Sequence, residues 1–171
     1  MKILNKKIIL ISLLYFSLTT NIFANQNYMF VNVDKLVNET NIGKLSLSKI
    51  NELDQNNFKI LNKYQEELIK TENEIKAKKN IISEQQYNKE INELKLKIKN
   101  YNEEKNLMVQ NLNDIKKKEL KLFFDSINPI IQDYMKQNSI EIIFDKKNIF
   151  IGNKKLDLTE LLINEINSKI K

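Results

Sequence analysis

From Gly43 to Asn138 the chain has no glycine after its first residue and no proline before Pro129. Glycine and proline are the residues that most readily turn a chain, and the apolar residues of this run recur at helical spacing, so the run reads as long helix. It breaks once, at Asn80-Ile81-Ile82-Ser83. Ser83 and Gln86 form a capping-box pattern, in which the hydroxyl accepts from the third amide of a new helix and the glutamine reaches back. Ile82 and Tyr87 fit the accompanying hydrophobic staple. A helix that restarts at Ser83 lets the chain double back, giving an antiparallel helical hairpin with its tip near 80–83.

The second limb carries the strongest repeat. Tyr87, Ile91, Leu94, Ile98, Tyr101, Lys105, Met108, Leu112, Ile115, Glu119 and Leu122 alternate by four and three residues, the pattern of a coiled-coil seam. Lys105 and Glu119 interrupt it. Polar seam residues weaken a coiled coil, and they either fix its register or let it flex. The first limb, about Lys44 to Lys79, is less regular, with Leu47, Ile50, Leu53, Phe58, Leu61, Tyr64, Leu68 and Ile75 as its apolar positions. Pro129 should kink the second limb by removing one backbone hydrogen bond. The apolar cluster from Leu120 to Ile131 marks where that limb enters a base.

Around the hairpin, Tyr28 to Asp34, Ile140 to Phe144 and Asn148 to Ile151 read as short strands, the last two joined by a turn at Asp145-Lys146-Lys147. Asp157 and Glu160 mark a final helix start, with Leu158, Leu161, Leu162, Ile166 and Ile170 on one face. The expected class is α+β and mostly α. An arm over 43–126 projects from a small β-rich body made of 25–42 and 127–171. Three short strands leave open edges and a body this small lacks core, so several copies are expected to join through their bodies.

The N-terminus reads as an export signal. Lys2, Lys6 and Lys7 precede the apolar run Ile8 to Leu18, and the small residue Ala24 offers a cleavage site, so 1–24 is expected to be removed. Ile22 is large for the position three residues before the cut, and an uncleaved anchor is the alternative. The apolar run is short for a span, which needs about 20 residues. Losing the three lysines lowers the formal net charge from +6 to +3. The implied compartment is the periplasm.

The chain has no Cys and no His, which excludes thiol nucleophiles, histidine-based triads and the usual zinc ligand sets. Its two glycines, Gly43 and Gly152, are too far apart for a phosphate-binding loop. No enzyme chemistry, cofactor or metal is expected.

The order of strand Phe30-Val31-Asn32-Val33, Gly43-Lys44 opening a Lys/Glu/Gln-rich hairpin, Asn128-Pro129-Ile130, Ile140 to Asp145 and Asp157-Leu158-Thr159 resembles the OmpH-like family of periplasmic chaperones. The likeness spans essentially the whole mature chain. It implies a trimer with a β-barrel body and helical arms around a cavity, in which unfolded outer-membrane proteins are held without ATP. The absence of arginine and the small basic excess depart from the family pattern.

Two sets of arm residues are candidates for client contact. Ile69, Ile81, Leu96, Leu107 and Val109 lie off the seam and are hard to bury in a two-helix hairpin. They either face a shared cavity or pack against neighbouring arms. Lys76, Lys78 and Lys79 near the tip and Lys95, Lys97 and Lys99 midway either attract acidic chains or anionic lipid or form an ordinary solvated face between glutamates. Nucleic acid is not an expected partner. A structural or adaptor role in the envelope is the rival reading, although such adaptors usually carry glycine-rich domains that two glycines cannot furnish.

Overall fold

The computed structural model describes residues 27–170. The leader expected over 1–24 lies outside the described residues. The chain starts with strand β1 (Tyr28–Val31), followed by helix α1 (Val33–Glu39), the long helices α2 (Asn41–Lys78) and α3 (Glu84–Gln137), strand β2 (Ile142–Asp145) and helix α4 (Thr159–Lys169). Single 3-10 turns at Lys146–Asn148 and Lys154–Leu156 link β2 to α4.

The hairpin expected from the sequence is present. α2 has 38 residues and α3 has 54, about 57 and 80 Å at 1.5 Å per residue. The surplus length of α3 enters the base. Ser83 caps α3, its Oγ accepting from the Gln86 amide at 3.2 Å. The reciprocal half of the box is not made, because the Gln86 side chain donates instead to Glu90 at 3.3 Å. Pro129 sits within α3 without ending it.

The seam departs from the sequence reading at four positions. On α2, Asn57 rather than Phe58 lies in it, and Phe58 is 61% exposed. On α3, Phe123 is fully buried while Leu122 is 47% exposed. A helix of 3.6 residues per turn drifts against a 3.5 repeat, so by the base the buried stripe has moved one position, through Glu119, Phe123 and Ile127. Ile98 and Lys105 are exposed.

Two further expectations are corrected. The first strand stops at Val31, because the Asn32 side chain accepts from the Lys35 amide at 3.0 Å and starts α1. The expected antiparallel pair does not form, and Asn148 to Ile151 is not a strand. Asp145 accepts from the Lys147 amide at 3.2 Å, closing a 3-10 turn that carries the chain out of the sheet. β2 pairs instead with β1 in parallel, Tyr28 opposite Ile142 and Phe30 opposite Phe144. Parallel strands need a crossover connection, and here that crossover is the entire hairpin. On its other side β1 is bridged at Asp157, with the Leu158 amide donating to the Phe30 carbonyl at 2.9 Å. Among the described residues β1 therefore has neighbours on both edges and β2 on one.

The core lies at the base, where Leu36, Phe123, Ile127, Leu162 and Ile166 are almost completely buried. Each contributes roughly 1.5–3 kcal/mol by burial. Ile163 faces this core and Leu161, expected there, is 54% exposed. Thr40 ties α1 to α2: its Oγ1 donates to the Leu36 carbonyl at 2.7 Å and accepts from the Gly43 amide at 3.2 Å. The junction is tight enough that a Cβ on Gly43 would lie 2.1 Å from the Val37 carbonyl oxygen.

Asp157 anchors α4 one position earlier than a standard cap, accepting from the Thr159 amide at 3.0 Å and from its hydroxyl. Burial pushes the Asp157 carboxyl up, but the hydrogen bonds from Lys146 and Thr159 outweigh it and hold it below the usual carboxylate value. Lys35 pairs with Glu160 and Lys147 with Asp34. Those hydrogen bonds outweigh partial desolvation and raise both ammonium pKa values.

Candidate functional site

The core sits at the base, and beyond it the arm is two helices that, among the described residues, meet only each other. Such a hairpin buries one stripe per helix and leaves the remaining surface exposed. The arm is closed near its tip by Ile75 and Leu94, 4% and 7% exposed, and by a Lys78–Glu90 ion pair at 3.5 Å. Midway, Tyr64 and Tyr101 meet edge to face with centroids 5.6 Å apart. Near the base, Glu119 lies in the seam and takes an ion pair from Lys49 at 3.3 Å. Glu119 thus fixes a cross-helix contact, which is the register role open to a polar seam residue. Lys105 makes no such contact and faces water.

The structure leaves all five off-seam apolar candidates on the surface. Ile69 is 50% exposed, Ile81 80%, Leu96 57%, Leu107 65% and Val109 49%. They do not form one patch. Ile81 stands in the tip turn, and Ile69 lies in a shallow depression with Lys70, Asn73 and Ala77 on the outer side of α2. Leu96 occupies a similar one with Asn88, Lys89 and Asn92 on α3. Phe58, Ile60 and Leu45 are also exposed, and the sequence reading missed them as surface residues. The mixture of seam and off-seam spacing around Asp54 to Asn57 was the available signal for Phe58.

The lysine candidates divide. Lys76 pairs with Glu72 at 2.6 Å, Lys78 with Glu90, and Lys99 with Glu103 at 3.7 Å. Lys79, Lys95 and Lys97 are exposed and make no ion pair among the described residues. Among the described residues there is no group of acidic side chains arranged to hold a metal ion, and no helix long and apolar enough to cross a membrane.

The body offers a second apolar surface. A groove of about 420 Å³ lies beside β2, lined by Val31, Phe124, Ile131, Met135 and Ile143 among others. Phe150 and Ile151, after β2, are 103% and 85% exposed.

The chain is thus a long two-helix arm on a small mixed body, with exposed apolar side chains distributed along the arm. A family model described as outer membrane protein (OmpH-like) matches residues 27–166. The chain belongs to this OmpH-like family. Its fold is also that of an OmpH-like protein of Caulobacter crescentus, known from a crystal structure. The two match with a TM-score of 0.74 at 16% identity, over 85% of this chain and 86% of that one. A search of curated proteins returns no match to this chain.

Proposed function

We propose that this protein is an exported, nucleotide-independent holdase: it binds unfolded outer-membrane proteins along its arms and keeps them from aggregating. The observation that carries the reading is the arm surface. Ile69, Ile81, Leu96, Leu107 and Val109 are each about half exposed or more, in the tip turn and on stretches of α2 and α3 that lie beyond the core of the base. Membership in the OmpH-like family supports the same reading, and the Caulobacter protein is described as a candidate outer membrane chaperone. Each contact would be weak and non-directional, and holding would follow mass action on the unfolded client. The unpaired lysines Lys79, Lys95 and Lys97 would add attraction for acidic segments or anionic lipid.

In this reading several copies, three as the family resemblance implies, join through their bodies and set their arms around a common cavity in the periplasm. The unpaired outer edge of β2 and the apolar groove beside it supply surface for that union. Phe150 and Ile151 are the side chains most in need of a neighbour.

Aggregation of a denatured outer-membrane β-barrel, diluted from urea and followed by light scattering, tests the activity. The protein at modest excess should abolish the scattering rise without added ATP. An unchanged rise would contradict the holdase reading. Sedimentation of the same sample reports the copy number, and a monomer would contradict assembly through the bodies.

A further inference from the structure

The two broad sides of the arm differ in chemistry. The pairs Lys49–Glu119, Tyr64–Tyr101 and Lys78–Glu90 fix the register of α2 against α3. Interpolated between the first two, Phe58 lies about level with Val109, and Ile60 about level with Leu107. Clefts along one side bring Glu74 and Lys78 together with Glu90, Glu93 and Lys97, and Glu67 together with Lys97. Both helices therefore contribute charges of both signs to that side.

Phe58 precedes Glu67 by nine positions, about two and a half turns, which puts it on the opposite side. Val109 follows Glu93 by sixteen positions, about four and a half turns, with the same result. Ile60 and Leu107 stand at about whole-turn separations from Glu67 and Glu93 and so belong to the charged side.

The row of α2 through Phe58 continues, at alternating steps of four and three, through Asn51, Gln55, Asn62 and Gln65. The row of α3 through Val109 continues through Asn102, Asn106 and Asn113. All of these residues are exposed and none is charged. Lys95, Lys99 and Lys116 extend the second row at its two ends, with Lys99 leaning to Glu103 at 3.7 Å. Between Asn51 and Gln65, and along the second row, no carboxylate stands in the rows themselves; the first row then reaches Ile69 and Glu72, which pairs with Lys76 at 2.6 Å, and Asp54 stands one turn before Phe58.

We infer that this amide-lined face, centred on Phe58 and Val109 and poorer in charge than the other, is the one that holds an unfolded polypeptide, while the charged face with Ile60 and Leu107 is turned to water. The inference rests on the holdase reading above and says where on the arm that activity resides. Each Asn or Gln side chain has both donors and an acceptor. So does each unpaired peptide unit of an unfolded chain, whatever its sequence. Phe58 and Val109 supply apolar contact in the middle of the amides. The scarcity of carboxylates on this face limits repulsion of acidic segments, and the lysines at the ends of the second row attract them. A folded partner or a second arm would find better charge complementarity on the mixed-sign face.

Two charge-neutral double variants at one level of the arm test this: Phe58→Gln with Val109→Gln, and Ile60→Gln with Leu107→Gln. Glutamine favours helix at least as well as the residues it replaces, and unchanged circular dichroism and sedimentation check that the assembly survives. The readout is the concentration that half-suppresses aggregation of a urea-denatured outer-membrane β-barrel. The first variant should need about fivefold more protein and the second less than twofold more. Equal losses, or a larger loss from the second variant, would overturn the assignment of the face while leaving the holdase reading intact. A changed sedimentation coefficient in the first variant alone would make this face a contact between copies and overturn it as well. A wild-type protein that suppresses nothing would remove both readings. Should either glutamine variant not fold, Phe58→Leu with Val109→Asn against Ile60→Asn with Leu107→Met repeats the comparison with smaller changes, judged by the same ordering.

Discussion

Glu119 gives the sharpest energetic test, because the two partners of its ion pair sit in different environments. Its side chain is 10% exposed within the seam, whereas Lys49 is 63% exposed, at 3.3 Å. The lysine is largely hydrated, so the attraction is that of a surface pair, at most about 1 kcal/mol. The carboxylate bears a desolvation cost that such a pair does not fully offset, and replacing a buried ion with a fitting apolar group is often stabilising by about 1–4 kcal/mol. Glu119→Met, unbranched and of similar length, should therefore stabilise the chain by about 1–2 kcal/mol. Lys49→Met leaves the same carboxylate without its partner and should cost about 1 kcal/mol. One bridge is lost in both variants, yet the signs are opposite. The assay is urea unfolding of a chain lacking residues 1–24, followed by circular dichroism. One protein concentration must serve for all variants, since self-association would move the midpoint. If Glu119→Met unfolds at lower urea than wild type, or Lys49→Met at higher, the reasoning about this site is wrong.

Further expectations concern the base. Phe123→Ala empties the centre of the core and should cost about 3–5 kcal/mol, read as a lower urea midpoint; a loss under 1 kcal/mol would mean the base is not the main core. Gly43→Ala drives a Cβ against the Val37 carbonyl and should lower the thermal midpoint, although alanine normally favours helix; a raised midpoint would contradict the close approach of α1 and α2. Asp157 has a lowered pKa in the folded state, so the stability it contributes is fully present above its unfolded value and lost as pH falls through the folded one. Asp157→Asn should be less stable than wild type at neutral pH, with the gap closing in acid, and a gap independent of pH would sink the linkage.

The hairpin was legible because its information is local: the absence of Gly and Pro, a repeat sustained over many turns, and a cap at Ser83. The body was less legible because its elements are short and depend on distant partners. Seven residues of α1 are too few to show a period, and only the contact of Asn32 with the Lys35 amide reveals where the strand ends. Ile140 to Phe144 and Asn148 to Ile151 look equally strand-like, yet only part of the first finds a neighbour, β1, far away in sequence. Within the arm, apolar character alone favoured Phe58 and Leu122 over Asn57 and Phe123; the five-residue step from Leu53 to Phe58 turns about 140° off the stripe, and accumulated drift moved the stripe from Leu122 to Phe123. The candidate client residues were legible as off-seam positions, but their division between two faces required the register of the hairpin.

The most direct test of the central claim is site-specific photo-crosslinking to an unfolded outer-membrane β-barrel. A photoreactive side chain would replace Leu96, Leu107 or Val109 on the arm, or Leu161 on the body, which is similarly exposed at 54%. Client adducts are expected from Val109 above all, fewer from Leu107 on the water-facing side, and little from Leu161. Adducts from Leu161 alone, or none from any arm position, would contradict the claim that the arms hold the client.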